Sequence, residues 1–248
     1  MKLQRWWLLV LPACLVGVAL GMYPILQNSV KSIARENHQS SFSETFSSNR
    51  KMSQTVVEKP SEADGVYQKV KPAVVTVYGA DGLGSGMVLR SQGLILTNKH
   101  IVQNSANINI KTADGKTFEG TVVDFDLRYD LALVQLKAST LNLPTVALAD
   151  AVHLKAGDQV YAIGSPGGKE GTLTTGTFRQ MTQHGSLQTS PGLLNPGNSG
   201  GPLVSRRGAV IGVNKGLLPD NSGLATPISA VKTLLTRYET VNREAARN

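Results

Sequence analysis

The chain has 248 residues with 41% hydrophobic and 5% aromatic side chains, and its 25 glycines and 11 prolines indicate many turns and a β-rich fold rather than a helix bundle. The single cysteine excludes an intrachain disulfide and a cage of thiolate ligands around a metal ion. The net charge of +8 comes without a basic stripe interleaved with aromatic residues, so nucleic acid is not an expected partner.

The first 26 residues have the pattern of an export signal. Lys2 and Arg5 precede residues 6–26, which carry no charge over 21 positions and are long enough to span a bilayer as a helix. The two basic residues are expected to stay on the cytoplasmic side. Ala19 and Gly21 offer the small side chains that signal peptidase requires, so a retained anchor, which is favoured, and a cleaved signal with a secreted product both stay open.

The remainder of the chain divides into three segments by composition. Residues 27–64 are polar and without periodicity, which predicts a flexible linker. Residues 65–240 are predicted to form one compact domain, and residues 241–248 a polar tail.

Short β-branched runs recur between turn signals through the compact domain. Residues 113–116, ADGK, have the composition of a hairpin turn. This spacing favours an all-β barrel or sandwich over alternating βαβ units. Residues 229–238 predict one short C-terminal helix, because Val231, Leu234 and Leu235 recur on a single helical face.

Ser199 is the candidate nucleophile. It lies in GNSGG (197–201), which formally satisfies the G-x-S-x-G elbow of α/β-hydrolases. That fold requires its histidine after the serine, whereas all four histidines of this chain precede Ser199. Pro202 and a strand-like run also follow the serine where a helix should begin. The chain order that survives is histidine, aspartate, serine.

His100 and Asp130 are the candidate partners of this serine. His100 follows a predicted strand in GLILTNKHIV, and Asp130 immediately precedes the apolar run LALVQL, which would bury its carboxylate. Asp124 and Asp126 are rival acids, expected in the exposed turn before it. In this interpretation His100 accepts the proton of Ser199, while Asp130 orients and stabilises the imidazolium.

The glycines around the serine predict an oxyanion hole. Glycine adopts backbone angles that direct consecutive N–H groups at one point. The amides of Gly197 and Ser199 are the expected donors, with Asn198 as a third candidate. No H-E-x-x-H or C-x-x-C pattern occurs, so neither a metal nor another cofactor is expected.

Five segments follow one another along residues 66–237 in a characteristic order: GSGMVL…GLILTNKHIV, DLRYDLALVQL, VYAIGSPGG, NPGNSGGPLV…GAVIGVN and GLATPISAVKTLL. They resemble the successive motifs of the HtrA/Deg branch of the trypsin-like serine proteases. The resemblance implies a double six-stranded β-barrel with His100, Asp130 and Ser199 between the barrels. No PDZ domain is expected, since only a short polar segment follows the predicted helix.

The resemblance also implies a function. The expected protein is a serine endopeptidase that cleaves unfolded or damaged exported polypeptides. Its protease domain would lie on the periplasmic side of the cell membrane, anchored by the N-terminal helix. The resemblance leaves open whether the protein forms a homo-oligomer. The alternative is a catalytically silent pseudoprotease that retains the barrels as a binding or chaperone module.

The specificity pocket is predicted to be apolar. In trypsin-like folds the pocket floor lies a few residues before the nucleophile, where this chain has Leu193 and Leu194. No carboxylate occurs between Glu170 and Ser199, so a substrate lysine or arginine would lack a partner. By resemblance, five further residues line the site: Ile211, Val213, Gly223, Leu224 and Ala225.

Overall fold

In the computed structural model, which describes residues 61–80, 82–150 and 152–247, twelve strands close into two six-stranded β-barrels. The first barrel consists of β1 (Val74–Gly79), β2 (Gly82–Arg90), β3 (Leu94–Thr97), β4 (Ile108–Lys111), β5 (Thr117–Asp126) and β6 (Leu131–Leu136). The second consists of β7 (Gln159–Gly164), β8 (Thr172–Met181), β9 (Leu187–Pro191), β10 (Pro202–Ser205), β11 (Val210–Leu217) and β12 (Ser222–Pro227). The expected double six-stranded barrel is confirmed.

The strands pair antiparallel in the orders β1-β2-β3-β6-β5-β4 and β10-β11-β12-β9-β8-β7. The hairpin predicted at residues 113–116 joins β4 to β5, with Lys111 opposite Thr117. Gly115 occupies the left-handed region there, with φ of 86°. Strands β9 and β12 and the four-residue helix α2 (Lys99–Val102) were not predicted, because the two strands lack a run of β-branched residues and the helix is too short to show periodicity.

Strands β3 and β6 are buried on both faces. Ile95 and Val134 lie in the core inside the first barrel, while Leu96 and Leu133 belong to a second cluster that includes Val213 of the second barrel. A strand with two buried faces has a continuous apolar sequence rather than an alternating one. This explains the uninterrupted runs that indicated strands at these positions.

Helix α3 (Ile228–Ala245) packs across both barrels. Its buried Val231, Leu234 and Leu235 share a cluster with Leu96 of the first barrel and Val210 of the second. Each such aliphatic side chain contributes about 1.5–3 kcal/mol on burial. The helix continues past the predicted end at 238 and through most of the predicted polar tail. Its last turns project into solvent and therefore have no apolar periodicity to predict them.

Helix α1 (Glu62–Val70) begins three residues before the predicted domain boundary at 65. Its start is set by Ser61 and Asp64, which cap each other's backbone N–H groups. Val66 and Val70 pack against Tyr161 in the second barrel. A helix therefore occupies residues 62–64, the last three residues of the predicted linker.

The predicted N-terminal membrane helix (1–26) lies outside the described residues, as does nearly all of the predicted linker. Among the helices of the described part of the chain, none combines the length and the apolar character needed to cross a membrane.

Glu62 connects helix α1 to the second barrel through polar contacts. Arg206 donates to both of its carboxylate oxygens, at 2.7 Å from Nε to Oε1 and 2.5 Å from Nη2 to Oε2. The Tyr161 hydroxyl donates to Oε1 at 2.8 Å. The hydrogen bonds from Arg206 and then Tyr161 lower the pKa of Glu62, while burial and then the Glu62 contact raise the pKa of Tyr161 to about 12.

Replacing Glu62 with Gln should lower the midpoint of thermal unfolding at pH 7. Because the folded-state pKa of Glu62 lies below its ordinary value of 4.5, its contribution is present above that pH and is lost as the pH falls. The midpoints of wild type and Glu62→Gln should therefore converge at acid pH in circular dichroism melts. Glu119→Gln, which removes an exposed pair with Lys137, is the control and should change little. An equal deficit at neutral and acid pH would contradict this account.

Candidate active site

His100 and Asp130 contact each other at the edge of the first barrel. His100 lies in α2 directly after β3, and Asp130 directly precedes β6, which pairs with β3. The Nδ1 atom of His100 is 2.6 Å from Asp130 Oδ2, and the His100 backbone N–H donates to Oδ1 at 2.9 Å. The carboxylate thus binds both the ring and the backbone of one residue, which fixes the orientation of the imidazole.

The backbone of Asp130 is held in an unusual conformation. Its φ of 55° lies in the left-handed region, which aspartate tolerates better than most residues. The Asp130 carbonyl accepts from the buried side-chain amide of Asn98 at 2.8 Å and from the Lys99 N–H at 3.2 Å. Residues 98–100 therefore fix both the backbone and the carboxylate of the candidate acid.

The two rival acids have other partners. Asp124 forms an ion pair with Arg237 of helix α3, at 2.6 Å from Oδ1 to Nη2. An oxygen of Asp126 accepts the Tyr129 backbone N–H at 2.9 Å and so closes the turn before β6. Of the three aspartates considered, Asp130 is the one in contact with the imidazole of His100.

Ser199 lies in the segment between β9 and β10 of the second barrel. Its carbonyl accepts the backbone N–H of Ser85 at 2.7 Å, which joins this segment to β2 of the first barrel. The next residue, Gly200, donates its N–H to Asn214 at 2.8 Å. The Ser199 hydroxyl donates to the Lys215 carbonyl at 3.3 Å, so its proton is directed at strand β11.

The predicted oxyanion donors divide into two groups. In the described part of the chain, the amides of Gly197 and Ser199 donate to no backbone carbonyl, and Gly197 has a φ of 103°. The amide of Asn198 instead donates to Asn195 at 3.0 Å inside the same turn. This bond removes Asn198 from the predicted donors, because an N–H used within the turn is not available to a substrate oxygen.

Four of the predicted pocket residues lie in one apolar cluster inside the second barrel: Leu193, Leu194, Ile211 and Ala225. Leu194 also lies against Gly223, where an added Cβ would stand 2.7 Å from Leu194 Cγ. Leu224 is half-buried on the same strand as Gly223. The structure therefore places Leu194 and Gly223 side by side, and Leu193 is fully buried in the same apolar cluster as Leu194.

Val213 is separated from this set. It packs with Met87 and Leu96 at the interface between the barrels. The reason is a register shift between β11 and β10, where Gly212 and Val210 oppose successive residues and Ile211 is left unpaired. Ile211 and Val213 consequently belong to different clusters, although simple alternation would place them on one face.

Three residues near the site were not predicted: Ser85, Asn98 and Lys215. Ser85 and Asn98 were visible only as parts of the GSG and TNKH segments, and a buried polar residue cannot be told from an exposed one by composition. Lys215 contributes a backbone carbonyl, for which the side chain gives no signal.

Comparison with known proteins gives concordant matches. The family model for the trypsin-like peptidase domain matches residues 84–213. The serine protease HTRA1 of Xenopus tropicalis is 33% identical over 202 residues, 73% of this chain and 43% of that protein. The periplasmic serine endoprotease DegP of Salmonella typhimurium is 37% identical over 169 residues, 62% of this chain and 35% of that protein. The chain thus covers less than half the length of these two relatives.

A solved structure agrees with these matches. The serine endoprotease from Yersinia pestis superimposes with a TM-score of 0.66 at 32% sequence identity, over 73% of this chain and 68% of that one.

Gly200→Ala should destabilise the protein much more than Gly115→Ala. Both glycines have φ near +85°, but a Cβ at Gly200 would lie 2.2 Å from the Ser85 carbonyl oxygen, whereas nothing lies within 4 Å at Gly115. The left-handed backbone alone costs about 1–2 kcal/mol, and the clash should raise the loss of unfolding free energy at Gly200 to roughly 4 kcal/mol or more. Urea denaturation of the two variants measures the difference, and equal losses would contradict the close approach of the barrels.

Proposed function

Because this chain belongs to the family of trypsin-like peptidases, we propose that it is a serine endopeptidase of the HtrA/Deg type that acts through an acyl-enzyme. The observation that carries the proposal is the carboxylate of Asp130, which binds His100 at both Nδ1 and the backbone N–H. An imidazole fixed in this way has its second ring nitrogen available as a general base. The two amides of Gly197 and Ser199 supply the complementary oxyanion donors.

In the proposed reaction Ser199 Oγ attacks the substrate carbonyl and transfers its proton to His100. The tetrahedral oxyanion accepts hydrogen bonds from Gly197 and Ser199, and His100 then protonates the leaving amine. Water then attacks the acyl carbonyl while His100 accepts its proton, and His100 returns that proton to Ser199 Oγ as the ester bond breaks and the acid product leaves. The hydroxyl of Ser199 must first turn from the Lys215 carbonyl towards His100, a rotation about a single side-chain bond.

One observation speaks for the second candidate, a pseudoprotease that binds polypeptides without cleaving them: the Ser199 hydroxyl donates to the Lys215 carbonyl. Its proton is donated to Lys215 at 3.3 Å, a long bond for an O–H donor. Such a bond is weak, and a bound substrate can replace it. We therefore favour the enzyme, and the alternative becomes an outcome of the experiment below.

Unfolded or damaged exported polypeptides are the proposed substrates, and the resemblance to HtrA/Deg proteases supports them. The N-terminal residues support a location at the cell membrane, because Lys2 and Arg5 precede an uncharged stretch long enough to span it. We propose that this stretch anchors the chain and that the protease domain lies on the periplasmic side.

Ser199→Ala or His100→Ala should lower kcat/KM by about 10⁴ to 10⁶-fold, with Asp130→Asn somewhat milder, while the fold is retained. The measurements are digestion of an unfolded protein such as reduced casein, and labelling of Ser199 by a fluorophosphonate. Ser186→Ala, a buried serine on another turn, is a matched control and should keep full activity. A folded wild type that neither digests casein nor reacts with the probe would favour the pseudoprotease.

Cleavage should follow small or medium aliphatic residues: valine, alanine, isoleucine or leucine. Leu194, which is buried beside Gly223, is apolar, and the pocket sequence lacks a carboxylate, so a buried lysine or arginine would cost several kcal/mol. A peptide-library digest by residues 61–248 determines the preference, with the Ser199→Ala variant as the blank. Dominant Ser199-dependent cleavage after lysine or arginine would refute the assignment of the pocket and leave the triad untouched.

If Lys2 and Arg5 remain cytoplasmic, a reporter that requires export should be active when it is fused after residue 248, and a cytoplasmic reporter fused there should be inactive. Alkaline phosphatase, which requires export, and a cytoplasmic reporter such as β-galactosidase form the matched pair. High β-galactosidase activity with silent phosphatase would place the barrels in the cytoplasm and contradict the proposed location.

A further inference from the structure

Ser85, in the GLGSG segment of β2, makes contacts that the reaction as described does not use. It is fully buried, and its hydroxyl donates to the Gly197 carbonyl at 2.6 Å. The same oxygen accepts the Ser165 backbone N–H at 2.9 Å. The backbone N–H of Ser85 donates to the Ser199 carbonyl. A single residue of the first barrel is therefore bonded to three points of the second.

The second barrel lies very close to Ser85 at two glycines, Gly164 and Gly200. A Cβ at Gly164 would lie 2.6 Å from Ser85 Oγ, and one at Gly200 would lie 2.2 Å from the Ser85 carbonyl oxygen. Glycine at both positions therefore allows the Ser85 hydroxyl and carbonyl to lie this close to the second barrel. Thr97 donates its hydroxyl to the same Ser85 carbonyl at 2.7 Å, which fixes the backbone of β2 at this point.

These bonds constrain Gly197 from its carbonyl side. The Pro196 carbonyl, in the peptide before Gly197, accepts the Gly167 N–H at 3.1 Å. In a planar trans peptide the Gly197 N–H must point opposite to that carbonyl. Ser85 holds the following peptide through the Gly197 carbonyl, and the Asn198 N–H of that same peptide donates to Asn195, so both peptides that flank Gly197 are held by hydrogen bonds. Glycine would otherwise rotate readily between several backbone conformations.

We propose that the Ser85 hydroxyl is a positioning group for the oxyanion hole, an inference that rests on the proposed function. It acts through Gly197 and does not touch the substrate. By holding the Gly197 carbonyl, it keeps the Gly197 N–H directed at the point where the oxyanion forms. Through its own N–H it also sets the position of Ser199 relative to His100, which the first barrel carries. Preorganised donors of this kind stabilise the transition state more than the bound substrate.

The test compares Ser85→Ala with Thr76→Val. Thr76 Oγ1 lies 2.6 Å from Ser165 Oγ, so Thr76→Val removes an equally short bond between the barrels without touching Gly197 or Ser199. We expect Ser85→Ala to lower kcat by about 10 to 100-fold with KM within about threefold, and Thr76→Val to change kcat by less than about threefold. Affinity for a peptide boronate, whose tetrahedral oxygen occupies the oxyanion hole, should fall in parallel with kcat.

A second measurement separates this inference from the proposed function. Crystal structures of wild type and Ser85→Ala should show that the Gly197 peptide, meaning the one that carries the Gly197 carbonyl, is reoriented in the variant. This result is expected whether or not either protein cleaves peptides. An unchanged Gly197 peptide, or equal losses of kcat in the two variants, would overturn the positioning role. An inactive wild type whose Gly197 peptide still turns in Ser85→Ala would refute the peptidase and retain the role of Ser85.

Discussion

The backbone contact between β2 and the segment around Ser199 is the constraint on which the site depends. The Ser85 N–H donates to the Ser199 carbonyl at 2.7 Å, so the two barrels meet main chain to main chain at Ser199. Side chains at Gly164 or Gly200 would force them apart. Because His100 and Asp130 belong to one barrel and Ser199 to the other, this separation decides whether the proposed proton transfer can occur.

Two helices keep the barrels at that separation. Helix α3 contributes Leu234 to a cluster that includes Leu96 of the first barrel and Val210 of the second. Helix α1 contributes Val66 to a cluster that joins β1 to Tyr161 of the second barrel. Apolar burial is not directional, so these clusters supply stability without defining atomic positions. The hydrogen bonds of Ser85 define the position of the Gly197–Ser199 segment relative to the first barrel.

The two halves of the site are held to different degrees. Asp130 is fixed at its backbone and at its carboxylate, and the left-handed φ is maintained by bonds from residues 98–100. The hydroxyl of Ser199 has one long bond to a carbonyl. Asp130 and His100 are thus preorganised for the proposed proton transfer, while the Ser199 hydroxyl keeps the rotational freedom that an incoming substrate needs.

Sequence alone was sufficient for most of the barrel strands, for the order of His100, Asp130 and Ser199, and for the apolar character of Leu194, because periodicity and motif order are properties of the chain itself. Tertiary structure decided the remainder. The amide of Asn198 is used within its turn, and the hydroxyl of Ser85 reaches a carbonyl 112 residues away. Such bonds leave no trace in composition, since they depend on where folding brings a backbone atom and not on which residue carries it.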